Sequence, residues 1–62
     1  MLILHVITTN GAKRNFSLFE NDVYYGKQYL PKRYLLSKYK GCDVIIFDGE
    51  KEIDRGKIED VF

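Results

Sequence analysis

Apolar and polar positions alternate from the start of the chain. In LILHVI, Leu2, Leu4 and Val6 fall on one side and Ile3, His5 and Ile7 on the other. A period of two, dense in β-branched residues, predicts a strand. Asn10-Gly11 follows, and a two-residue type I′ turn, which needs positive φ at both positions, predicts a hairpin there. Beyond it, Phe16 and Leu18 share one face while Asn15 and Ser17 share the other. Ser17 and Glu20 also have capping-box spacing, but Asn21 and Asp22 break the apolar period at once, which favours a strand over a helix.

ENDVYYGKQYL reads as a loop with, at most, a short strand over Val23–Tyr25. Pro31 suits the first position of a helix, where its missing N–H is harmless, and Gly41 suits the position just past the end. Between them, KRYLLSKYK predicts a helix of about three turns that packing must hold. On a helical wheel Leu35, Leu36 and Tyr39 form a core-facing stripe about 100° wide, leaving Arg33, Tyr34, Ser37, Lys38 and Lys40 outside it.

CDVIIFDGEKEIDRGKIEDVF reads as a second hairpin. Val44–Phe47 is a nearly unbroken apolar run, the pattern of a strand buried on both faces. Asp48-Gly49 starts a turn, and a four-residue loop through Lys51 would set Ile53 opposite Ile46. Gly56 marks a bulge or a second turn. Ile58, Val61 and Phe62 are apolar anchors. The order hairpin, helix, hairpin predicts an α+β class, a single domain over residues 1–62 with a β-grasp-like ββαββ arrangement in which one helix crosses one sheet face. Phe16, Leu35 and Ile46 are its candidate core. KGCDVIIFDG with the later RGKI is similar to the strand–turn–strand of small SH3-like barrels. That resemblance implies the alternative architecture, a small barrel with one short helix, and no particular function.

A chain of 62 residues buries only about 60% of the surface its unfolded form exposes, so its stability is marginal. Cys42 is the only cysteine, so no disulfide staples the fold, and a lone thiol fits a reducing compartment. With one cysteine and one histidine, His5, a four-ligand zinc site falls short, and no cofactor is expected. The apolar opening MLILHVI is too short for a membrane span and lacks the basic start of a secretory signal. These features predict a cytoplasmic protein that does not enter the membrane.

Net charge is +1, but unevenly spread. Residues 23–42 hold Lys27, Lys32, Arg33, Lys38 and Lys40 and no acid. Residues 43–62 hold seven acids against Lys51, Arg55 and Lys57. All five tyrosines lie in the basic segment. Its candidate partner-binding residues are Tyr24, Tyr25, Lys27, Tyr29, Arg33, Tyr34, Lys38 and Lys40. Cations neutralise phosphates and tyrosine rings stack on unpaired bases, which points to single-stranded nucleic acid. Lys38 and Lys40 also complement the negative end of a helix dipole. Moreover, a dedicated nucleic-acid domain is usually basic overall, so a protein-binding or simply solvated face is the favoured reading.

In DGEKEID, Asp48, Glu50, Glu52 and Asp54 recur every second residue. An extended strand would align the four carboxylates, but the EF-hand spacing is missing, and the tract reads as a solvated hairpin tip. His5 has no serine, cysteine or acid nearby in sequence to complete a catalytic set, and Cys42 reads as a small hydrophobe. We expect no enzyme. The leading expectation is a protein–protein interaction module, a small regulator or inhibitor of a larger assembly, of the size seen in phage-type accessory proteins. The second is a single-stranded nucleic-acid binder using residues 24–40. Pairing between identical chains is compatible with either.

Overall fold

The computed structural model describes residues 1–62. Leu2–Ile7 (β1) and Lys13–Leu18 (β2) form the first hairpin. Asp22–Tyr25 (β3) and Gln28–Pro31 (β4) form a second, leading directly into helix α1, Lys32–Lys38. Asp43–Asp48 (β5) and Lys51–Lys57 (β6) form a third, which ends in a single-turn helix, Ile58–Val61 (α2). The six strands make one sheet in the order β4-β3-β2-β1-β5-β6. Every neighbouring pair is antiparallel. No helix is long and apolar enough to cross a membrane.

The chain is thus α+β, with one hairpin more than the expected ββαββ order. The segment expected to be a loop with a short strand over Val23–Tyr25 has that strand as β3, and gains β4 to pair with it because Gly26 (φ 59°) and Lys27 (φ 70°) both sit at positive φ. That is the type I′ turn expected instead at Asn10-Gly11. At the first hairpin only Gly11 has positive φ, at 87°. There the Gly11 N–H donates to the Thr8 carbonyl at 2.9 Å and the Thr8 N–H to the Ala12 carbonyl at 2.7 Å. The Asn10 side chain accepts from the Ala12 N–H at 3.2 Å and so braces a wider turn, with the glycine in the left-handed region at its end.

Helix α1 is shorter than expected at both ends. Pro31 caps it in an extended conformation (φ −66°, ψ 147°) as the last residue of β4, an edge strand where a missing N–H is tolerated. At the other end the Tyr39 N–H closes the helix on Leu35 at 2.8 Å, and the Cys42 N–H donates to Tyr39 at 3.0 Å. Gly41, at φ 83°, occupies the position of that turn that requires positive φ.

The third hairpin also departs from expectation. Asp48 pairs with Lys51 across a two-residue turn, and a bulge at Ile53 sets Asp54, not Ile53, opposite Ile46. Ile53 is left exposed. Gly56 is in register with Val44 rather than at the bulge. Gly56 has φ 154°, a conformation that L side chains rarely adopt, while a Cβ there would make only ordinary contact with Val61 at 3.4 Å.

The core occupies one face of the sheet. Leu4 and Val6, Phe16, Val23, and Val44 and Ile46 turn the same way on β1, β2, β3 and β5. Leu35 of α1 and Ile58 of α2 cover them, both fully buried, and Cys42 completes a cluster of nine buried residues. Leu18, Leu30, Leu36, Tyr39, Val61 and Phe62 pack around it. Ile45 and Phe47, expected to be buried like Val44 and Ile46, are only half-buried, because no element covers the other face.

Candidate functional site

Strand alternation divides the tyrosines of residues 24–40 between the two faces of the sheet. Tyr24 and Tyr29 are opposite each other across β3 and β4, on the open face, with ring centroids 4.9 Å apart. Phe19 joins them at 5.6 Å from Tyr29. Tyr25 points to the helix side, where its ring lies 5.1 Å from Phe16. The stretch therefore does not form one continuous aromatic track.

What it does form is a groove of about 230 Å³ between α1 and the sheet. Phe16 and Leu30 line its apolar part, and Tyr25, Tyr34 and Tyr39 bring three phenol rings to it. Arg14, Lys38 and Gln28 supply its polar groups, and no carboxylate lines it. The Lys38 ammonium lies 5.7 Å from the Tyr34 ring centroid and 5.6 Å from that of Tyr39. These are cation–π distances that fix the charge beside the rings. The Tyr34–Lys38 contact follows from their i, i+4 spacing on the helix. Neither Arg14 nor Lys38 has an acidic partner, since the ion pairs join Met1 to Asp48, Arg55 to Glu52 and Lys57 to Asp43.

Of the eight residues singled out in the sequence, the groove gathers Tyr25, Tyr34 and Lys38. Tyr24 and Tyr29 lie on the opposite face. Lys27 sits at the tip of the β3–β4 turn, Arg33 on the exposed side of α1, and Lys40 in the turn after it. Arg14 and Gln28 escaped the sequence reading, although the period of two that buries Phe16 already places Arg14 on the same face. Phe16 and Tyr39 were assigned to the core alone, and both also line the groove. Lys32, by contrast, is engaged: its ammonium donates to the Glu20 carbonyl at 2.7 Å and lies 5.5 Å from the Phe62 ring centroid.

Three acids of the acidic segment, Asp43, Glu52 and Asp54, are held from within it. Lys57 bonds Asp43 at 2.9 Å, which raises the lysine pKa. Arg55 clasps Glu52 with two hydrogen bonds, which lowers the pKa of that carboxyl. The bulge makes this clasp: the extra residue, Ile53, turns Glu52 and Arg55 to one face and Asp54 to the other. The alternation that would have aligned the four carboxylates of the tract is thereby broken. Glu59 accepts the Gly41 N–H at 3.0 Å, which lowers its pKa and ties α2 to the turn after α1. His5 lies on the open face between Asn15 and Ile45, its ring 4.8 Å from Phe47. Partial burial, and then the charge of Lys13, lower its pKa.

Compared with known protein families, with curated proteins and with solved structures, the chain matches none at a significant level.

Proposed function

We propose that the protein is a small, non-enzymatic interaction module that holds an acidic segment of a protein partner in the groove beside α1. The observation that carries this reading is the groove itself: three tyrosine rings and two cations without carboxylate partners, around a concavity with no acid. Tyrosine and arginine favour interface centres because each adds large contact area together with hydrogen bonding. A partner carboxylate would find Arg14 and Lys38, and a neighbouring apolar or aromatic side chain would lie on Phe16 and the tyrosines. A chain of this size fits a regulator or inhibitor of a larger assembly. Of the two architectures suggested by the sequence, we favour the β-grasp-like one, because α1 lies over one sheet face while the other face stays open.

Binding of single-stranded nucleic acid is the second reading, supported by the same rings and cations. It is disfavoured by the division of the tyrosines between two faces and by the acidic β6–α2 end, which repels a polyanion. Immobilised protein, incubated with a cell extract, should retain a partner that both Tyr34→Ala and Lys38→Glu release while remaining folded. Equal retention by all three proteins would move the interface away from the groove.

A further inference from the structure

The face of the sheet opposite the helices is apolar at its centre and uncovered. Ile3, His5 and Ile7 on β1 stand beside Ile45 and Phe47 on β5, all half-buried. Tyr24, Tyr29 and Phe19 form a second, aromatic cluster toward β4, separated from the first by Asn15 and Ser17 of β2. A shallow depression of about 320 Å³ lies where Ile7, Ile45 and Arg55 meet. Antiparallel sheets with one solvated face normally alternate apolar and polar residues cleanly, and a contiguous apolar patch marks an interaction surface.

We propose that two copies of the chain pack sheet against sheet through this face, leaving both grooves outward. The face is electrically balanced, with Lys13, Arg55 and Lys57 set against Asp22, Asp43 and Glu52. Arg55–Glu52 and Lys57–Asp43 are already paired within the chain. Lys13 and Asp22 have no ionic partner and sit at opposite ends of the adjacent strands β2 and β3. A two-fold axis running across the strands in the interface brings Lys13 of one copy to Asp22 of the other, twice, over β2 and β3, with the β1 and β5 apolar residues of the two copies packed beside them. Six strands spaced about 4.8 Å apart, each rising about 3.3 Å per residue, give a footprint of roughly 500 Å² per copy. The total of about 1,000 Å² is near the lower limit for a specific interface, so the dimer is expected to be reversible. Two grooves on its outer sides would make it bivalent towards a partner with repeated sites.

Sedimentation equilibrium of the full chain tests this proposal, with circular dichroism confirming that each variant is folded. The expected result is a concentration-dependent dimer of the 7.3 kDa chain. Ile45→Lys should weaken it at least about tenfold, as loss of a central contact does. Lys13→Glu should weaken it roughly two- to fivefold, and adding Asp22→Lys to that variant should restore it. Tyr34→Ala, in the groove, should leave dimerisation unchanged, so this proposal and the groove proposal fail independently. A monomer at every accessible concentration would overturn the proposal, as would a dimer indifferent to Ile45→Lys or one whose hydrogen-exchange protection is confined to the β6 edge.

Discussion

At φ 87°, Gly11 holds a conformation that a β-branched side chain resists, although the space around it is open. Gly11→Val should therefore destabilise the protein through backbone strain alone, by about 1–3 kcal/mol. Thermal unfolding measures it, and an unchanged midpoint would mean that the turn does not need its left-handed residue. His5 makes a second residue-scale prediction. Its pKa is lowered by burial and then by Lys13, so the folded protein binds this proton less readily than the unfolded chain. The associated stability is present above the unfolded value of 6.5 and is lost as pH falls from there through the lowered pKa of the folded state. Stability should fall on moderate acidification, before the carboxylates titrate, and His5→Gln should flatten that part of the profile. A His5→Gln profile identical to that of the parent would assign the dependence to another group.

Among the elements, α1 has seven residues and one fully buried side chain, Leu35. Leu35→Ala should cost about 2–5 kcal/mol, close to the entire stability of so small a domain. Denaturant unfolding that shows no loss would mean that the helix presents another face to the sheet. The stripe of Leu35, Leu36 and Tyr39 was legible in the sequence because helical periodicity and burial agree there. Strands β1 and β2 were legible for the same reason, through a period of two, and β5 through its unbroken apolar run. The β3–β4 hairpin was not, because its turn places Lys27 in a left-handed conformation that lysine seldom adopts, so Gly26-Lys27 carries no turn signature. The bulge at Ile53 was equally hidden: it is a register choice, and an isoleucine in an alternating tract gives no sign that it will be squeezed out. For the groove, the helical half, Tyr34 and Lys38, could be read from i, i+4 spacing. Arg14 could not be joined to it without knowing that β2 lies next to β3.

Across the whole molecule, charge follows sheet order. The β3–β4–α1 end is basic and aromatic, and the β5–β6–α2 end carries seven of the nine acids, of which Asp43, Glu52 and Asp54 are held by neighbours from the same segment. The covered face carries the groove and the open face an apolar surface of a different character, so one thin sheet presents two distinct surfaces. On the proposed function, the basic, aromatic side recognises protein rather than nucleic acid. The most direct measurement is fluorescence anisotropy of labelled single-stranded oligonucleotides titrated with the protein at low salt. The expected result is weak binding or none, little changed in Tyr34→Ala. A sub-micromolar affinity would contradict it if it fell with salt at a log–log slope of roughly −3, as about four phosphate contacts imply, and dropped in Tyr34→Ala.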